Sequence, residues 1–421
     1  MVRLSLTGRL VAGPAPTGPS RPEVGAGDQY CPRSGSARRG LRLLSMSAAL
    51  ALAVVTVVGG ARPDEAVGAA ALIGPGSGAP GSPEAASSPP LVGAGWFDTA
   101  DREAVVAAYQ AAFSRPDPPL EWAGDQASCR AGVSSAASHQ ATIERVNYYR
   151  AMAGVEASVV ENPELSAWAQ QTALMMSAEG LLSHDPGGDF ACASPEGISG
   201  AANSNLYLGR TGPDAVDGYV EDPGDHNTDV GHRVTILHPP TRTMGVGDVD
   251  DSATASSANA LWVFDDEVFA DSVGAGASPM READRFVAWP PRGYVPAPLV
   301  HPRWSFTRAG VDMAGAQVSM YRYDGGGPVP VPVAVVDRVG APGHVPLPTV
   351  VWEPDFSTGL GPDPERDTTY LVVVGGLGSD GSMADPVRAG YAYRITVLGA
   401  TPVPPPGEPA VVLARVARAG S

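Results

Sequence analysis

The chain has 421 residues, 43% of them hydrophobic, which is enough for roughly one to three domains with real cores. All 28 basic residues are arginine, and against 45 acidic ones they leave a formal net charge of −17, which excludes nucleic acid as an expected partner. The 51 Gly and 42 Pro predict much loop and short strand, and the three cysteines (Cys31, Cys129, Cys192) form no CxxC, which excludes a zinc ribbon or a thioredoxin-like site.

Residues 1–62 read as a leader. Arg33, Arg38, Arg39 and Arg42 precede the apolar run 48–58 (AALALAVVTVV), and Gly59, Gly60 and Ala61 offer a small-residue exit. That is the order of a secretory signal. The run is short for a membrane span, which needs about 20 apolar residues. A cleaved signal is therefore expected, with an uncleaved N-terminal anchor as the alternative. Residues 63–95, rich in Gly, Ala, Pro and Ser, read as a flexible linker.

From Trp96 the composition changes, and a first domain is expected over 96–272. Helical spacing predicts helices over 101–113, capped by Thr99 or Asp101, over 135–153, and from Asn162-Pro163 to about 179, where Gly180 ends the pattern. A shorter helix is expected over about 213–220 and a strand over 260–264 (ALWVF). Beyond about 272 no helical period persists. Strands are predicted at 317–323, 329–337, 349–352, 369–374 and 391–398, separated by Gly- and Pro-rich turns, which points to a β-sandwich over 273–400. Residues 401–421 read as a tail.

One stretch, 215–240 (AVDGYVEDPGDHNTDVGHRVTILHPP), holds an unusual density of titratable groups: Asp217, Glu221, Asp222, Asp225, His226, Asp229 and His232. Histidine changes charge near neutral pH and is the commonest metal ligand. Ala215, Val216, Tyr219 and Val220 have helical spacing, and Pro223-Gly224 breaks it, so the carboxylates are expected at a helix end and the histidines on the loop that follows. Val234, Ile236 and Leu237 read as a strand-like or buried run.

Four ordered motifs then carry a resemblance: Asn147-Tyr148-Tyr149-Arg150 followed by Gly154; Leu181-Leu182-Ser183-His184; Asn205-Leu206 with Gly209; and Val230-Gly231-His232-Arg233 followed by Leu237 and Pro239. Over residues 98–272 the chain resembles the CAP superfamily, shared by cysteine-rich secretory proteins, insect venom antigens and plant pathogenesis-related proteins. It is most similar to the bacterial branch, in which such a domain precedes a β-rich module, and the stretch 289–306 resembles the start of that module. The resemblance implies an α+β protein: a CAP-like α-β-α sandwich followed by an immunoglobulin-like β-sandwich, secreted to the extracellular space. It also implies a cavity with two histidines and two acids. His184 and His232 match the histidines, Glu221 or Asp222 matches one acid, and Ser204 stands where the other is expected.

On this reading the cavity is lined by His184, Ser204, Glu221, Asp222 and His232. A divalent metal, zinc by its preference for imidazole and carboxylate, would be held by His184, His232 and Glu221. There is no HExxH helix, and no GxSxG elbow surrounds Ser204. Cys129 and Cys192 fall in the exported part, where an oxidising compartment pairs them, and the bridge stabilises by about 3–4 kcal/mol. The acids Asp248, Asp250, Asp251, Asp265, Asp266 and Glu267 lack EF-hand spacing and read as a solvated surface, with calcium binding as the alternative. The expected function is that of a secreted, monomeric, non-catalytic binding module whose His- and acid-lined cavity takes a metal ion or a small apolar ligand such as a lipid, with a cell-surface component as a further partner. The alternative is a metal-dependent hydrolase using His184 and His232.

Overall fold

The structure, a computed structural model, describes residues 97–264, 286–323, 326–339, 347–379 and 390–400. The leader, the linker, the boundary near 272, Cys31, the acids 265–267 and the tail all lie outside the described residues.

Helices begin where a side chain can hold their first free amides. Asp101 caps α1 (Arg102–Phe113), accepting from the amides of Glu103 and Ala104. Ser135 caps α2 (Ala136–Met152), and Asn162 caps α3 (Pro163–Glu179), which has Pro163 in its first turn and Gly180 at φ 71° as its left-handed stop. These are the three helices that the spacing predicts, within a residue or two. The fourth expected helix is α5 (Gly212–Glu221). Sequence patterning misses α4 (Pro195–Asn203), whose small residues give little period. It misreads α6 (Gly231–Ile236): Val234 and Ile236 are buried as expected but helical, because six residues are too few to separate a helix from a strand by periodicity.

Between the helices runs a sheet of β1 (Val160–Glu161), β2 (Ser204–Leu208), β3 (Thr243–Val249) and β4 (Ala258–Trp262), in the order β1-β3-β4-β2, with β1 parallel to β3 and the other pairs antiparallel. Successive strand residues face opposite ways. Leu206, Ala260 and Trp262 therefore join Ala169 and Ala173 of α3 on one face. Tyr207, Val246 and Leu261 join Val146 and Tyr149 of α2 and Val216 and Val220 of α5 on the other. The result is the expected α-β-α sandwich. α3 can lie directly on β3 because Gly245 and Gly247 carry no side chain: a Cβ there would stand 2.4 Å and 2.2 Å from the backbone of Leu165 and Ala169.

The motif residues of α2 lock this layer. The Asn147 side chain both donates to and accepts from the backbone of Val159. Arg150, fully buried, donates to the carbonyls of Glu156, Ile236, His238 and Thr241, tying α2 to the chain that leaves α6. The expected disulfide is present between Cys129 and Cys192, 63 residues apart.

The second part is a two-sheet β-sandwich. One sheet orders β10 (Pro328–Val331), β9 (Gln317–Tyr323), β13 (Thr368–Gly375), β15 (Gly390–Leu398) and β6 (Gly293–Pro296), antiparallel except for the last pair. The other orders β11 (Val333–Val339), β12 (Thr349–Pro354), β7 (Trp304–Thr307) and β5 (Val287–Trp289), and a short antiparallel pair joins β8 (Val311–Asp312) to β14 (Gly378–Ser379). Trp304, Phe306, Trp352 and Tyr370 fill the space between. The strand expected over 329–337 is in fact two, in different sheets, divided at Pro332, which has no amide to give a ladder.

The two parts share one compact unit and one apolar core. Tyr149 of α2 meets Trp289 of β5 edge-on, ring centres 5.3 Å apart. Arg303, ahead of β7, donates to the carbonyls of Asp222, Gly224 and Asn227. Arg233 of α6 answers it, donating to the carbonyls of Val220, Glu221 and Arg303 and to the Ser305 hydroxyl. The titratable stretch is thus clamped from the sandwich side.

Candidate functional site: a histidine pair at the end of the sheet

His184 and His232 come together, with ring centres 6.5 Å apart. Different elements deliver them. His184 follows the Gly180 stop of α3, and its Nδ1 is 2.8 Å from the carbonyl of Ala201 in α4. His232 is the second residue of α6, and its Nδ1 is 2.8 Å from Asp222 Oδ1. In each ring the partner of Nδ1 is an acceptor, so Nδ1 carries a proton.

Asp222 ends α5 in a left-handed turn, φ 54°, which swings its carboxylate inward until it is fully buried. Its second oxygen accepts from the amides of His232 (3.0 Å) and Arg233 (3.3 Å) at the start of α6. The Tyr219 ring stacks on the His232 imidazole, centres 5.7 Å apart, and its hydroxyl donates to Asn259 Oδ1 at 2.7 Å. Asn205 of β2 donates to the His232 carbonyl and accepts from the Thr235 hydroxyl. Burial pushes the His232 imidazole towards its neutral form. The carboxylate of Asp222 and its hydrogen bond, helped by Asp229, push harder the other way and hold the imidazole above its usual value.

Ser204 lies between these anchors along the chain, three residues after Ala201 and directly before Asn205. Its hydroxyl is buried and has no hydrogen-bond partner among the described residues. A buried hydroxyl left unpaired costs about 1–3 kcal/mol.

The rest of the titratable stretch disperses. Glu221 is half-buried and stands 3.8 Å from Arg210. Asp217 turns back to α2, where it accepts from the Tyr149 hydroxyl and pairs with Arg145. Asp225 and His226 are on an exposed loop. Asp229 is partly buried, and burial together with Asp222 raises its carboxyl above the usual range. Asp248, expected on a solvated surface, is fully buried: its Oδ1 accepts from the Gly212 amide and the Asn259 side chain, and burial raises its carboxyl.

Residues 143–265 match the model of the cysteine-rich secretory protein family, CAP. This chain carries a CAP domain. The matched segment spans all four motifs from Asn147 to Pro239, and His184 and His232 both lie inside it. No curated protein matches the chain. CAP domains are typically extracellular, and no helix among the described residues is long and apolar enough to cross a membrane.

The metal site expected of a CAP cavity can be tested on the donors present. The two imidazoles are oriented as metal-bound histidines are, each with Nδ1 held by an acceptor. The third ligand fails. Glu221 stands by Arg210, Asp222 is taken up by His232 and the α6 amides, and Ser204 supplies no carboxylate. Among the described residues no three His, Cys, Asp or Glu side chains are placed to hold an ion. A protonated His232 competes with a metal as well, since the bound ligand must be neutral. The set His184, His232 and Glu221 does not fit a zinc centre.

Proposed function

We propose that this protein is an extracellular binding module whose CAP domain takes a small organic ligand at His184, His232 and Ser204. The observation that carries the reading is the Ser204 hydroxyl, buried and unpartnered among the described residues, on the β2 residue directly before Asn205, whose side chain holds the His232 carbonyl. A site prepared in this way offers the Ser204 hydroxyl to a ligand's polar group, with the Tyr219 ring backing His232. Hydrolysis through a bound metal gains no support from the donor set. Resemblance of fold supplies no activity by itself. The β-sandwich, read as immunoglobulin-like, serves as a spacer or a surface attachment for the module. Secretion by the N-terminal leader belongs to the same proposal.

Native mass spectrometry of the protein recovered from an oxidising compartment tests it. The expected result is one organic adduct of low mass, lost in His184→Ala while the protein stays folded. A bare mass before and after incubation with cell extract would overturn the proposal, and a stoichiometric zinc adduct would restore the metal reading.

A further inference from the structure

Away from the histidine pair, at the opposite edge of the same sheet, three side chains stand in line. The Ser134 hydroxyl is 2.7 Å from His139 Nε2, and His139 Nδ1 is 2.7 Å from Glu161 Oε1. Glu161 lies on β1, one edge of the order β1-β3-β4-β2, whereas Ser204 and Asn205 lie on β2, the other. From this geometry we propose that Ser134, His139 and Glu161 form a serine acyl-hydrolase site that acts on small esters.

A nucleophile hydrogen-bonded to a base, itself oriented by a third group, is what activates a serine, and such sites recur on unrelated folds without a fixed chain order. The hydrogen bonds set the protons. Glu161 accepts Nδ1–H, so Nε2 is the lone-pair nitrogen and faces the Ser134 hydroxyl. The Ser166 hydroxyl fixes Glu161 by donating to the same oxygen at 2.6 Å while accepting from the amide of Val246. The loop bearing Ser134 is pinned as well: Ala123 donates to the Val133 carbonyl, and Ser135 is bonded through its amide to Leu120 and through its hydroxyl to Pro119. α2 begins two residues beyond Ser134, and the amides of Ala136 and Ala137 have no acceptor inside that helix, which leaves main-chain donors in its first turn for an oxyanion.

The chemistry balances with water as the only co-reactant. Ser134 Oγ attacks the ester carbonyl carbon as its proton passes to His139 Nε2. The tetrahedral adduct collapses, and the leaving alcohol takes that proton. Water then attacks the acyl-serine, gives a proton to His139, and releases the carboxylic acid as Ser134 recovers its hydrogen. Access bounds the substrate. Ser134 is only 8% exposed, which limits the acyl group to a small one such as acetyl, and its chain neighbour Val133 is 68% exposed, an apolar surface for the alcohol portion.

The test is covalent labelling of the full secreted chain with a fluorophosphonate, followed by peptide mapping, together with p-nitrophenyl acetate turnover. A phosphonyl group on Ser134, absent in Ser134→Ala, is expected, with turnover down about 100-fold or more in His139→Ala. Glu161→Gln should slow labelling, and Glu161→Asp should restore part of it at an unchanged thermal midpoint. Folded native protein that takes no label at Ser134, or turnover that survives Ser134→Ala, would overturn the proposal. The mapped native protein decides even where a variant fails to fold.

Discussion

Glu221 and Asp222 are adjacent, yet one meets solvent and the other is sealed beneath α6. Consecutive helical side chains diverge by about 100°, and the left-handed turn at Asp222 adds a further swing inward. No sequence pattern separates the two, so either could have been the acid beside His232. The pairing has a pH signature. The His232 imidazole is held above its usual 6.5 in the folded protein, so its contribution to stability is complete below that value and is lost as pH rises through the folded one. The thermal midpoint of native protein should therefore exceed that of Asp222→Asn most at about pH 5–6 and least at about pH 8 and above. A difference that stays constant across this range would remove the charge interaction from the account.

At the scale of elements, the contact of α3 with β3 depends on two missing side chains. Gly247→Ala places a methyl 2.2 Å from the backbone of α3, which cannot yield without moving the helix off the sheet. The expected loss is about 3 kcal/mol in urea denaturation. Gly180→Ala is the contrast. Its Cβ meets nothing within 4 Å, and only its positive φ is strained, so about 1 kcal/mol is expected. Equal losses at the two sites would refute close approach as the reason for Gly247. The helices themselves were legible, because Asp101, Ser135 and Asn162 announce their starts and Gly180 a stop. α4 and α6 were not legible, being short and held by their neighbours.

For the whole molecule, the sandwich is part of the site's support. Arg303 holds three carbonyls of the Asp222–Asn227 turn, and Thr228 donates to Asp337 of β11. With a core continuous from α2 into β5 and β7, the two parts should unfold together. Calorimetry should show one transition whose calorimetric and van't Hoff enthalpies agree, and Arg303→Ala should lower its midpoint, since three half-buried carbonyls lose a charged donor at a cost of about 2–3 kcal/mol. Two resolved transitions in the native protein would mean that the seam is too weak to couple them.

Local chemistry determined much of this protein from the sequence alone. Caps and stops marked the long helices, alternation and turn residues marked the strands from Gln317 to Leu398, and four spaced motifs pointed to the CAP domain that the family match bears out. Those signals are carried by residues close together in the chain. The tertiary structure alone decided which titratable groups meet. It joined His184 to His232 across 48 positions, sent Asp217 to Arg145, left Glu221 with Arg210, and set Glu161 beside His139. Charge density along a chain does not say which way each side chain faces. That depends on the φ of one turn at Asp222 and on the register of β1 beside β3, and both are set by packing between segments far apart in sequence.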